Sequence, residues 1–177
     1  MPMNYKKLED LSEDEWEKVC MKCGKCCMCK YSDNGIIHFS NYMCQYFDLK
    51  KGECSCYDTR FETAKGSCKK VSLELIKSEL YLLPPSCAYR RLYEGRGLPH
   101  YHPLITGDPK SVEKAGETVK SLSVFPETIK NDKLLELLKK ASQDHWDSLK
   151  IMEEASRLKE KFEIKFLESY PMKETAI

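Results

Sequence analysis

Five cysteines fall within one short run, Cys20-Met-Lys-Cys23-Gly-Lys-Cys26-Cys27-Met-Cys29, and five more follow at Cys44, Cys54, Cys56, Cys68 and Cys87. A Cys-x-x-Cys loop can turn two thiolates onto one ion, and Gly24 gives the residue after Cys23 permissive backbone angles. Cys26 extends the run to C-x2-C-x2-C. Such a run can face three corners of an iron–sulphur cube, or supply three of the four thiolates of a tetrahedral zinc, with a remote cysteine completing either set. Cys26 and Cys27 are adjacent, and neighbouring side chains usually diverge. One compact mononuclear site would not readily use both, so the pair points to two sites sharing the loop or to a multinuclear cluster. The alternative is that one of the two is a packed thiol, a common state for a free cysteine.

The later cysteines extend the same chemistry. Cys54-x-Cys56 puts both thiols on one face if the backbone is extended. Tyr57 and Arg60 can hydrogen-bond thiolate sulphur or cluster sulphide and so tune a metal centre, or can equally be a packed tyrosine and a surface arginine. Cys87 is expected in the first turn of a helix capped by Ser86, where backbone amides favour a thiolate; it is either a ligand or the most nucleophilic free thiol. His38 has no special spacing to any cysteine and is read as packed or solvent-facing. A disulfide framework is the competing reading of ten cysteines. The first twenty residues are strongly charged and lack the apolar stretch of a secretory signal, and no segment approaches the roughly 20 apolar residues of a membrane span. A cytoplasmic chain with reduced, metal-binding thiols is therefore expected over a disulfide scaffold.

At these residues the sequence resembles the CxxCxxCC family of zinc- or iron-chelating proteins, with its YkgJ-type cysteine cluster, and specifically the YcgN-like branch. The match begins with Leu11-Ser-Glu-Asp-Glu-Trp16 and Cys20-x2-Cys23-Gly24-x-Cys26-Cys27. It continues through Cys44, Cys54-Ser-Cys56-Tyr57, Arg60-Phe61-Glu62 and Cys68, and ends with Cys87-Ala88-Tyr89-Arg90, Glu94-Gly95, Leu98-Pro99 and His102-Pro103-Leu104. It covers residues 11–125 and departs after Pro126. The resemblance implies metal chelation by the cysteines and implies no reaction. Cys29 stands where a YcgN-like protein is expected to carry another residue, so it is left out of the ligand set. His102 matches, and can be a nitrogen ligand, a proton relay or a loop residue bonded to backbone.

The elements that must position these groups follow from local pattern. Ser12 with Glu15 forms a capping box, so a helix is expected from Glu13 that buries Trp16 and Val19 and delivers Cys20 at its end. Asp33-Asn34-Gly35 reads as a turn before a short strand over residues 35–39. Val71, Leu73, Leu75, Ile76, Leu80 and Leu83 suit a short helix ended by Pro84-Pro85. Arg90, Arg91 and Arg96 form a local basic patch, read as a solvated face or a hold for a small anion. An apolar stripe from Leu134 to Phe166, with His145 on it, reads as one or two helices. The expected fold is mainly α with irregular loops and minor β: a cysteine-cluster metal-binding domain over residues 1–126, with metal supplying part of its stability, and a C-terminal helical extension over 127–177.

Charge narrows the partners. With 29 basic against 28 acidic residues the net charge is +1, which gives no footprint for nucleic acid or an anionic membrane. No P-loop, dinucleotide fingerprint, HExxH or Gly-x-Ser-x-Gly occurs, so there is no positive case for a standard hydrolase or nucleotide enzyme. The expected cofactor is zinc or iron, the latter as ions or an iron–sulphur cluster. Nine thiols (Cys20, Cys23, Cys26, Cys27, Cys44, Cys54, Cys56, Cys68 and Cys87) form the candidate ligand set. They exceed one four-coordinate site and suggest two, in a protein that uses, stores or delivers metal. The alternatives are an iron–sulphur redox enzyme or electron carrier, and a zinc-stapled interaction module whose C-terminal helix meets a protein partner or a second copy.

Overall fold

A computed structural model of the chain describes residues 6–64, 68–121, 136, 140 and 166–172. The first helix, α1 (Glu13–Val19), starts as the capping box dictates: the Ser12 hydroxyl accepts from the Glu15 amide at 3.3 Å, and the Glu15 carboxylate accepts from the Ser12 amide at 3.0 Å. Such reciprocal caps satisfy two of the helix's orphan amides. Trp16 then donates from its indole to the Val71 carbonyl at 3.0 Å and lies 5.0 Å from the Tyr89 ring. These contacts seat α1 on α3 (Leu73–Glu79, capped by Ser72) and α4 (Ala88–Tyr93). Val19, Ile76, Leu82, Leu83, Tyr89 and Leu92 are the centre of this helical core. A four-residue helix, α2 (Arg60–Thr63), precedes α3, and two more, α5 (Pro103–Thr106) and α6 (Ser111–Lys114), follow α4.

Directly after the cysteine run the chain enters a sheet. Strands β1 (Met28–Asp33) and β2 (Ile36–Met43) form an antiparallel hairpin, and β5 (Phe166–Pro171) adds to the far edge of β2, giving the order β1-β2-β5. The connecting turn is Asn34-Gly35, with φ of 47° and 77°. Positive φ at both residues matches the twist of the strands it joins. Ile37 faces Tyr170 and Phe39 faces Glu168 across the β2–β5 pair. Met28, Ile37, Phe39, Met43, Phe47, Val119 and Tyr170 form a second core beneath this sheet. The Tyr170 hydroxyl reaches the carbonyls of Tyr81 (2.6 Å) and Leu83 (2.9 Å) and so joins the two cores. A separate ribbon pairs β3 (Phe47–Asp48) with β4 (Glu53–Cys54).

The expectation of a mainly α fold is therefore overturned. The helices among the described residues are short, and a three-stranded antiparallel sheet carries one of the two cores. Strand β1 reads Met-Cys-Lys-Tyr-Ser-Asp, with no alternation to reveal it, and the partner that completes the sheet comes from the other end of the chain. Phe166, placed at the end of the expected helical stripe, is in that strand. Of the rest of the stripe, Glu136 and Lys140 are helical and paired at 3.2 Å; Leu134, Leu138, Ala141, His145, Leu149, Met152, Leu158 and Phe162 lie outside the described residues, as does most of 127–177.

Candidate metal centre

The cysteine knuckle is built on the end of α1. Cys20 is its C-terminal cap, Lys22 takes a φ of 52° and Gly24 one of 82°, and residues Lys25–Cys27 make a single 3-10 turn. Gly24 is required twice over. Its backbone lies in the left-handed region that L side chains disfavour, and a Cβ there would stand 2.6 Å from Val119 and 2.7 Å from the Phe47 ring. The knuckle is also tied to the rest of the chain: the Val119 amide donates to the Cys23 carbonyl (3.0 Å) and the Cys44 amide to the Cys27 carbonyl (2.9 Å).

Two adjoining cavities open beside it. The first, about 110 Å³, is bordered by Cys20, Cys23, Cys26, Cys27, Cys54 and Cys87, with apolar walls from Met21, Phe47, Val71 and Leu83. The second, about 90 Å³, is bordered by Cys20, Cys26, Cys27, Cys44, Cys54, Cys56 and Cys68, with Tyr57 and Arg60. All nine thiols of the expected ligand set thus border one cavity or both. Cys29 borders neither; it is buried on β1. No three His, Cys, Asp or Glu side chains among the described residues are gathered as they would be around one ion. The fit is in donor type and spacing. The Cys54 and Cys56 sulphurs stand 3.8 Å apart, about the edge of a tetrahedron whose metal–sulphur bonds are ~2.3 Å.

Burial dominates the protonation of these thiols. It pushes Cys20 and Cys23 up, and takes Cys87 to about 12 and Cys44 to about 11. A desolvated anion is costly, so burial favours the protonated thiols. At Cys87 this overrides the amides of Tyr89 and Arg90, which hold its sulphur. Cys87, not Ser86, is the cap of α4. The adjacent pair behaves differently: the Cys27 thiol hydrogen-bonds Cys26, which holds Cys26 down to about 7 and Cys27 well above its ordinary value.

Tyr57 hydrogen-bonds the Cys20 sulphur, which also receives the Lys22 amide at 3.4 Å. The Arg60 guanidinium lies 4.1 Å and the Lys22 ammonium 4.3 Å from the centre of the Tyr57 ring. Arg60 bonds the Tyr57 carbonyl and pairs with Glu17 at 3.7 Å, so it acts on the cluster by its charge and by holding Tyr57. His102 is a structural group. It is 1% exposed, its Nδ1 accepts the Leu104 amide to cap α5, and its Nε2 lies 3.0 Å from the Val19 carbonyl. His38 is on β2, with Nδ1 2.6 Å from the Ser169 hydroxyl. The arginine patch is structural too. Arg90 bonds Glu94 and the Leu83 carbonyl, Arg91 bonds the Gly97 carbonyl and Arg96 bonds Glu94, so these groups brace the end of α4.

Two lysines at the site were not foreseen. Lys25 sits inside the knuckle and donates to Ser86 (3.1 Å), Glu117 (2.8 Å) and Glu168 (3.0 Å). Burial works against its charge, yet the two carboxylates raise its pKa. Lys30 is fully buried on β1. Its ammonium bonds the carbonyls of Cys26 (2.8 Å) and Met28 (3.0 Å), 5.1 Å from the Phe39 ring centre. Nothing in local sequence marks either, since a lysine is ordinarily a surface residue. Their position between and just after the cysteines is the only hint.

These features describe a small cysteine-rich α+β protein whose thiols are turned inward around paired cavities. Over 128 residues the chain is 41% identical to a UPF0260 protein of Aliivibrio fischeri, covering 71% of this chain and 86% of that protein. It is 40% identical over 121 residues to one from Caulobacter vibrioides (67% and 74% of the two chains), and 43% identical over 116 residues to one from Shewanella pealeana (64% and 78%). The chain belongs to the UPF0260 family, a name that carries no activity. No family model matches it, and no solved structure does. Among the described residues no helix is long and apolar enough to cross a membrane.

Proposed function

We propose that this protein binds metal through its cysteines, holding zinc or iron as thiolate-bound ions or as an iron–sulphur centre. The observation that carries this reading is that nine of its ten cysteines border the two adjoining cavities. The Cys54–Cys56 spacing suits a tetrahedral thiolate site, and the resemblance to the CxxCxxCC proteins points the same way. Such a metal would replace the protons that burial keeps on the thiols and would contribute its binding free energy to the fold. The chain's own residues do the rest. Cys20, Cys23, Cys26, Cys27 and Cys87 offer thiols from the end of α1, the knuckle and the cap of α4; Cys54 offers one from β4, and Cys44, Cys56 and Cys68 offer them from the loops; the apolar walls exclude water. The function needs reduced thiols and so suits the cytoplasm.

The test is anaerobic purification of the untagged full chain, followed by metal and acid-labile sulphide analysis. Zinc or iron in at least stoichiometric amount is expected, lost in a Cys26→Ser/Cys54→Ser double variant. Metal-free protein with paired cysteines would overturn the reading. A redox role for an iron–sulphur centre is a second reading, favoured by the Tyr57 hydrogen bond to the Cys20 sulphur. Hydrogen bonds to ligand sulphur tune the potential of such centres. Tyr57→Phe should then lower the midpoint potential of iron-loaded protein while its iron content stays the same.

A further inference from the structure

The two cavities are not independent pockets. Four thiols, those of Cys20, Cys26, Cys27 and Cys54, border both. The 3-10 turn over Lys25–Cys27 winds the backbone tightly, and the adjacent Cys26 and Cys27 both border both cavities. On either side of this wall stand thiols belonging to one cavity alone. Cys23 and Cys87 border only the first, and Cys44, Cys56 and Cys68 only the second.

We infer that the cluster holds two metal positions joined by thiolate from the common wall, as one bridged centre, with Cys23 and Cys87 terminal on one ion and Cys44, Cys56 and Cys68 terminal on the other. This rests on the metal-binding reading above. Two tetrahedral ions that share no sulphur need eight thiolates. If they were separate, the four wall thiols would have to be divided between them. The wall does not divide: Cys20, Cys26, Cys27 and Cys54 each border both cavities, and the Cys54 sulphur stands 3.8 Å from that of Cys56. A thiolate with two lone pairs directed at two soft cations satisfies both and spreads its charge over them. Apolar walls strengthen that preference, because an unshared anionic thiolate is costly there. Each cation displaces thiol protons to solvent as it binds.

The probe is cadmium(II) alone, a soft ion with a nuclear spin as its 113 isotope, added to the reduced full-length chain. Bridged ions should give about two cadmium per chain and two 113Cd resonances that split each other through the shared sulphur. Two unsplit resonances, or a single ion per chain, would overturn the bridged centre while leaving metal binding intact. Failure to retain any cadmium would sink the metal-binding reading and this one with it. Variants supply a second readout that does not depend on resolving the splitting. Cys87→Ser should move one resonance and Cys68→Ser the other. Cys54→Ser should move both, and Cys29→Ser neither. A Cys54→Ser change confined to one resonance counts against the shared wall.

Discussion

In the β1–β2 hairpin every residue from Lys30 to Asp33 has a backbone partner on the facing strand, and the strands bury Ile37, Phe39 and Met43 completely. Between Cys44 and Ala64 the chain has only the two-residue ribbon of β3 and β4, a few turns braced by Asp48 and the four-residue α2. Its buried apolar anchors are Phe47 and Ala64. The sheet is thus shaped by its own ladder and core. The loops have four cysteines in and beside them, few apolar anchors, and short-range hydrogen bonds such as those of Asp48 and of Ser55 to the Tyr46 carbonyl.

On the proposed metal-binding reading, the widest separation between the regions is expected on metal removal. In reduced, chelator-stripped protein, backbone amides between residues 44 and 64 should exchange with solvent about 100-fold faster than in metal-loaded protein, ~3 kcal/mol of lost protection. Amides of β1 and β2 should change by less than tenfold. Equal acceleration in both regions would erase the distinction. Gly24→Ala and Gly35→Ala come next, because both glycines have positive φ and only one is crowded. Alanine at Gly35 meets nothing within 4 Å and should cost about 1 kcal/mol for its backbone alone. Alanine at Gly24 must also displace Val119 and Phe47 and should cost about 3 kcal/mol, with overpacking added to the backbone term. Denaturant midpoints in one metal state measure both, and equal costs would show that the knuckle and sheet core do not interlock there.

The smallest effect contrasts a sheet thiol with cluster thiols. Burial raises Cys29 from an ordinary value of 9.0 to about 12. Above pH 9 the unfolded chain releases this proton while the folded chain keeps it, so the stability it contributes is present below pH 9 and lost as pH climbs toward 12. Between pH 8 and 10 wild-type, metal-free protein should lose about 1 kcal/mol more than Cys29→Ala, read as a difference in slope. Parallel slopes would place Cys29 in contact with water.

Local chemistry was legible wherever neighbours in sequence determine it. The Ser12–Glu15 box, the Asn34-Gly35 turn and the end of the α3 region before Pro84 all depend on a few adjacent residues, and the structure has each. Of the ten cysteines, the nine of the expected ligand set border the cavities and Cys29 does not. What could not be read depends on distant partners. β1 carries Lys30 and polar neighbours, and becomes a strand because β2 pairs with it; β2 in turn is covered by a strand from the far end of the chain. For His102 the sequence left a ligand, a proton relay and a loop residue bonded to backbone all open, with the loop residue slightly ahead. Its two nitrogens were decided by a carbonyl 83 residues away and an amide two residues on.

Lys25 gives the knuckle a place in time as well as in space. Its partners Ser86, Glu117 and Glu168 are reached in that order as the chain is synthesised. The last cysteine, Cys87, therefore leaves the ribosome long before the strand that supplies Glu168 has been translated. Chains emerge at about 5–20 residues per second, so each new copy passes several seconds with all its thiols made and this brace missing. During that interval the nascent cluster depends on the reducing power of its surroundings, and the arrival of β5 completes the lock.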